Sequence, residues 1–306
     1  MAGLLAQITD RKLGLEVECL IPVVGTGSGR DVQNLLAQVL SNHGVSAIPR
    51  GYCREPIPHG CLLAVEHDSS LQDEARYRGL RWSKIELKTC PMTHAELSNV
   101  LPTALDIVNY FGARVNRSCG LHVHVSLAEI AEHPLIARNL QHLWWRFHPV
   151  LYGLVAPSRQ SSSYCRPPQK TEATMYDDCN TYPKLCQKLS HVSRYSGLNL
   201  TNLADRNRLT AEWRLHHGST DWQKIGCWTL VMLRLVEHAI SRSCQYRPEP
   251  VPNTQAGLNS LLITTGLKPN SRLYAKVDQQ LREAGRFLLR RWKHFHAQQE
   301  GSTDAS

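Results

Sequence analysis

Cys-x-x-Cys spacing is absent from this chain, although it carries ten cysteines in 306 residues. Without paired thiols or the short length of a disulfide-stapled secreted domain, the cysteines are expected to stay reduced in a cytoplasmic protein. Long apolar runs are missing too. Ahead of Asp10, Arg11 and Lys12 the only apolar run is residues 4–6, too short for the hydrophobic region of a signal peptide. The most apolar helical stretch, residues 228–240, is broken by Arg234 and Glu237, so no membrane span is expected. Continuous basic runs are scarce: the net charge of +9 is dispersed, and residues 286–293 form its densest cluster. Dispersal favours local anion sites, for nucleotide phosphates or acidic peptides, over a nucleic-acid stripe. The Gly-rich turn of residues 25–30 lacks the Gly-Lys-Ser/Thr ending of a P-loop and the spacing of a dinucleotide fingerprint. It is expected to be a connector.

What the sequence does have is a set of alternating stretches. In Leu121-His122-Val123-His124-Val125 a strand would place both imidazoles on one face and the aliphatic residues on the other. Leu15, Val17 and Cys19 alternate with Glu16 and Glu18; Ile85 and Leu87 with Lys84, Glu86 and Lys88; Ala211, Trp213 and Leu215 with Glu212, Arg214 and His216. If these strands share one sheet over a common core, the opposite face gathers carboxylates and imidazoles. Like charges so close repel unless a cation lies between them.

The 42% hydrophobic content suffices for a sizeable core in one large domain or two smaller ones. Helices are expected over residues 32–42, from the Thr93/Glu96 capping box through Phe111 with a kink at Pro102, over residues 135–155, from Thr220 or Asp221 to about His238, and over residues 272–296. Cys61 to His67 reads as a buried strand ending at Asp68, and residues 194–200 as a strand joined by a hairpin turn to the Glu212 strand. Residues 158–188, rich in Ser, Pro, Gln and Thr with scattered tyrosines, read as an inserted loop or lid.

Taken in order, these pieces resemble the amidoligase family, a branch of the glutamine synthetase and glutamate–cysteine ligase superfamily of carboxylate–amine ligases. The matching residues are Gly14-Leu15-Glu16-Val17-Glu18, Asp68-Ser69-Ser70, Glu86 before a Pro, Asn116-Arg117-Ser118-Cys119-Gly120-Leu121-His122-Val123-His124-Val125, Arg194-Tyr195 with Asn199, and Glu212-Trp213-Arg214 followed by Gly218-Ser219-Thr220-Asp221. They span roughly residues 12 to 240. The chain departs from the pattern at Glu86, where Lys84 and Lys88 flank the acid and Pro91 comes late. Those lysines are candidates for substrate binding rather than the metal shell.

The resemblance implies an α+β fold with a curved, mainly antiparallel sheet, a glutamine synthetase-like half-barrel whose concave face is the active site and whose helices pack outside. It implies a catalytic domain over residues 1–246, with 158–190 as the loop or lid insertion, and a linker and helical extension over 247–306 packed on it. The cofactors implied are ATP and magnesium, with manganese as a substitute. Glu16, Glu18, Glu86, His124 and Glu212 are the metal ligands implied; His122, as a neighbour to the nucleotide or a second metal ligand, joins Arg194, Asn199 and Arg214 in holding the nucleotide, and Arg214, Glu86 and Asp68 are catalytic. The expected reaction joins a small-molecule or peptide carboxylate to an amine through an acyl phosphate, releasing ADP and phosphate; membrane and nucleic acid are not expected partners, and homo-oligomerisation stays open. Two other classes are weighed against it. A metal-dependent amide hydrolase would need further histidines and a late Asp on parallel strands. A basic nucleotide- or nucleic-acid-binding protein without turnover would show steep salt dependence.

Overall fold

The computed structural model describes residues 8–53, 55–74, 76, 79–241, 249–267 and 279–303, with side chains as far as 296. Residues 4–6 and the expected helix start at 272–278 lie outside that set. In chain order the elements are β1 (Leu13–Val23), α1 (Gly29–Asn42), β2 (Ala47–Pro49), β3 (Leu63–His67), β4 (Arg81–Thr89), α2 (His94–Tyr110), β5 (Gly120–Ser126), α3 (Leu135–Tyr152), α4 (Pro157–Gln160), α5 (Tyr182–Leu189), β6 (Leu198–Asn199), β7 (Thr210–His217), α6 (Trp222–Ser241), α7 (Gln255–Thr265) and α8 (Gln279–Thr303). The fold is α+β with a mixed sheet in the order β2-β3-β4-β1-β5-β7-β6. Pairs β1–β4, β3–β4 and β6–β7 are antiparallel, and β2–β3 is parallel. Among the described residues no helix is long and apolar enough to cross a membrane. The chain contacts divide into two compact units, residues 10–123 with 216–226, and residues 1–9 with 124–215 and 227–306.

In the first unit the alternation expected from sequence sets the faces of the sheet. Leu15, Val17 and Cys19 on β1 and Ile85 and Leu87 on β4 are fully buried. α1 covers that apolar face. Ser83, of the same parity as Ile85 and Leu87, donates from its hydroxyl to the Gly29 carbonyl at 3.0 Å, and α1 presents Leu36, Ala37 and Leu40 to the interior. The helix begins at a capping box in which Ser28 and Asp31 satisfy each other's backbone N–H, and α2 begins at the expected Thr93/Glu96 box, with Pro102 inside it. The Gly-rich connector therefore ends as a helix cap. With helices on one face of the strands, Glu16, Glu18, Glu86 and Lys88 project from the other.

In the second unit α3 is the central buried element, with Trp144, Phe147 and Leu151 nearly or fully out of solvent. Trp144 meets Trp213 of β7 edge to face at 5.8 Å. Gly197 lies where the chain passes closest to this stack: a Cβ there would sit 2.7 Å from both Trp144 and the Tyr152 hydroxyl. Residues 158–188, expected as an inserted loop or lid, hold most of α4 and α5 and short 3-10 turns, with Cys165, Tyr176 and Cys179 buried. Side chains of α3 dock the segment: His142 Nε2 lies 2.7 Å from Asp177 Oδ1, and Gln141 donates to the Glu172 carbonyl at 2.9 Å. In the closing helix α8, Arg291 is buried and donates from Nε to the Leu154 carbonyl at 2.7 Å.

Candidate active site

The first unit carries three carboxylates in one row across its strands. The registers place Glu18 opposite Glu86 and Glu86 opposite Glu66, and the next row reads Glu16, Lys88, Ala64. Directly opposed like charges repel, and removal from water sharpens the cost. Glu66 is fully buried and Glu18 and Glu86 nearly so. Burial, with the charge of Glu16 next, pushes the Glu86 carboxyl well above the ordinary carboxylate range, although Lys88 pulls it down. The Lys88 ammonium lies 2.9 Å from Oε2 of Glu66, 2.9 Å from Oε2 of Glu86 and 3.7 Å from Oε1 of Glu16. Burial alone would lower its pKa, but Glu16, Glu86 and the hydrogen bonds to Glu66 and Glu86 outweigh it and raise the group. Arg50 Nε holds the other Glu66 oxygen at 2.7 Å.

His122 brings the imidazole into this cluster. Its Nδ1 lies 2.8 Å from Glu16 Oε2 and its Nε2 3.6 Å from Glu18 Oε1. Glu18, Glu86 and His122, all buried, each offer a donor atom within 4.8 Å of the others. Two hard carboxylate oxygens and one imidazole suit magnesium or manganese. A divalent cation among them would also remove the repulsion that raises Glu86.

The Asn-Arg-Ser-Cys-Gly block leading into β5 is a brace for Glu18. Asn116 Oδ1 accepts from the Ser118 N–H at 2.9 Å, Asn116 Nδ2 donates to the Gln72 carbonyl at 2.9 Å, and the Gly120 N–H donates to Glu18 Oε2 at 2.5 Å. Gly218 packs against this turn so closely that a Cβ would lie 2.6 Å from that of Cys119. Burial pushes the Cys119 thiol up to about 11 and raises Cys19 further, so both are packing residues rather than nucleophiles. Asp68 stands at a turn beyond β3. Its Oδ1 accepts from the Ser70 N–H at 2.8 Å and its own N–H donates to the Lys84 carbonyl at 3.1 Å.

The second unit holds the remaining expected residues. Glu212 on β7 is buried and faces Asn199 of β6 in register. Asn199 Nδ2 donates to Glu212 Oε2 at 2.6 Å, Asn202 Nδ2 donates to the same oxygen at 3.4 Å, and Arg214 Nη1 pairs with Oε1. Arg214 Nε donates to the Tyr164 carbonyl at 3.3 Å, and Tyr164 meets Tyr195 edge to face at 5.6 Å with the exposed Arg194 over the Tyr195 ring at 5.1 Å. His124 Nδ1 lies 3.3 Å from the Thr210 hydroxyl.

The imidazole among the carboxylates of the first unit is thus His122. His122 and His124 share a face as expected, two residues along a strand being about 6.5 Å apart, and it is His122 that meets Glu16 and Glu18. Glu66 and Arg50 escaped the sequence reading. Glu66 could have been found: it is the one acid in the strand Leu63-Ala64-Val65-Glu66-His67, on the same face as Ala64. Arg50 had no such signal, because its partner is sixteen residues away in sequence.

A search of the curated proteins found no match. Among solved structures, the chain is similar to one from the complex between Prokaryotic Ubiquitin-like Protein Pup and its Ligase PafA, at 11% identity and a TM-score of 0.43. The match covers 98% of this chain and 66% of that one, just under two thirds of its length. Residues 9–236 match the family described as "Putative amidoligase enzyme". That match takes in 228 of the 306 residues, and the chain belongs to the amidoligase family.

Proposed function

We propose that the chain is an ATP-dependent ligase that joins a carboxylate to an amine through an acyl phosphate and releases ADP and phosphate. The observation that carries the reading is the buried Glu18–Glu86–His122 donor group in a chain of this family. Glu16 accepts the Nδ1 proton of His122, which fixes the tautomer and leaves Nε2 as the ligand atom. Gly120 holds Glu18 in place. A bound magnesium ion supplies neutralising charge to the nucleotide phosphates. The wider set that the family resemblance implies, which adds His124 and Glu212, remains part of this proposal, as does the curved half-barrel form of the sheet.

A carboxylate is a poor electrophile because its charge repels nucleophiles and oxide is a poor leaving group. Attack of a carboxylate oxygen on the γ-phosphorus releases ADP and gives an acyl phosphate; the amine then attacks the acyl carbon, loses a proton, and the bond from carbon to the phosphate oxygen breaks. Arg214 takes the phosphoryl charge, since a guanidinium matches phosphate oxygens with two parallel donors. Its ion pair with Glu212 keeps it ordered for that role. Asn199 and Arg194 serve the nucleotide, and Asp68, half-exposed at its turn, takes the proton of the incoming amine. Incubation with ATP, magnesium, hydroxylamine and a panel of carboxylic acids should yield a hydroxamate with ADP and phosphate. With the active acid labelled with oxygen-18, one labelled oxygen should appear in phosphate. AMP and pyrophosphate would mean an acyl adenylate, and amide cleavage without nucleotide would mean a hydrolase.

A further inference from the structure

Lys88 is a fixed positive charge at a point where two buried carboxylates of neighbouring strands converge. Glu66 and Glu86 face each other in the β3–β4 register, and the Lys88 ammonium lies 2.9 Å from an oxygen of each. A divalent ion bridging two carboxylates occupies such a point, with ligand distances shorter by about half an ångström or more. The backbone builds this arrangement for the lysine. Lys88 follows Glu86 by two residues and so shares its face, and its partner across β3 is Ala64, whose methyl leaves room for the four-carbon stem to lie over toward Glu66. The Tyr52 ring centroid lies 5.3 Å from the ammonium, a further contact that favours a cation there. Arg50 occupies the remaining Glu66 oxygen at 2.7 Å, so that carboxylate is spent on two protein cations. Glu86 is shared: one oxygen serves Lys88, and the residue also belongs to the group with Glu18 and His122.

We infer that Lys88 is a built-in cation that takes the Glu66–Glu86 position, so that these strands recruit a divalent ion at Glu18–Glu86–His122 and none at Glu66–Glu86. The inference rests on the metal site proposed above and deepens it by assigning one of its charge positions to the protein. Glu66 and Arg50 are positioning residues for Lys88, not metal ligands.

The test is the number of manganese ions bound per chain, by equilibrium dialysis with electron paramagnetic resonance of the free ion at pH 8, on the full chain without nucleotide. Lys88→Gln should bind one ion more than the unsubstituted protein, and Lys88→Arg should bind the same number. Glu66→Gln should also leave the number unchanged, because Glu66 serves the lysine; this variant keeps the ammonium and decides the matter if Lys88→Gln does not fold. An unchanged number in folded Lys88→Gln, or one ion lost in Glu66→Gln, would overturn the inference. Absence of manganese from the unsubstituted protein would instead overturn the metal site itself.

Discussion

Glu86 carries two opposed pressures, and pH separates them. Its carboxyl is raised by burial and by Glu16, so the folded protein holds that proton more tightly than the unfolded chain does. Metal-free protein should therefore lose stability as pH rises from the ordinary glutamate value of about 4.3 through the raised one. Exposed Glu96 acts in the other direction: Lys12 and the Thr93 cap hold it at about 2, so its contribution is present above the ordinary range and is lost as pH falls toward that value. Melting temperatures recorded against pH should thus pass through a maximum in mild acid. Manganese should lift the neutral side of the curve, and Glu86→Gln should flatten that side and abolish the lift. A neutral limb unaffected by both changes would mean that Glu86 is an ordinary carboxylate. The identity of the residues on this face was legible because strand parity is a two-residue rule, which sorted Glu16, Glu18, Glu86 and His122 correctly. Which carboxylates touch depends on register between strands distant in sequence, and that is why Glu66, directly opposite Glu86, went unseen.

At the scale of elements, local signals were readable and composition misled. The Thr93/Glu96 box marked the start of α2 because both halves of a cap lie within four residues of chain. Residues 158–188 looked like a loop because Ser, Pro, Gln and Thr dominate, yet tertiary burial of Cys165, Tyr176 and Cys179 accompanies short helices there. The three-residue β2 was too short for any periodicity to show. Docking of the inserted segment makes a prediction. His142→Ala removes its imidazole contact with Asp177, and limited proteolysis should then cut residues 170–179 several-fold faster than in the parent. If the segment also serves as the lid expected from sequence, saturating ATP and substrates should slow cleavage in the parent chain; equal rates with and without ligands would leave it a fixed part of the second unit. Gly197→Ala tests the packing beneath it. A Cβ forced against Trp144 and Tyr152 should cost about 1–3 kcal/mol in urea unfolding, and an unchanged midpoint would show that α3 yields there.

For the molecule as a whole, the sequence reading and the structure converge on one chemical theme, buried carboxylates organised around cations. The net charge of +9 attracts anions without choosing among them, whereas the Glu18–Glu86–His122 group and the Lys88 and Arg50 contacts give the charge an address. Membership of the amidoligase family supports the amide-bond-forming reaction proposed above, and the site supplies the residues that can be tested. The central claim is that these side chains hold the divalent ion that presents ATP. Calorimetric titration of the chain with magnesium-ATP tests it most directly. The account predicts a saturable heat in the parent protein that falls by at least ten-fold in affinity in Glu86→Gln and in Glu18→Gln, while a change at an exposed acid such as Glu132→Gln leaves it unaltered. Parent-like affinity for magnesium-ATP in both Glu86→Gln and Glu18→Gln would contradict the account.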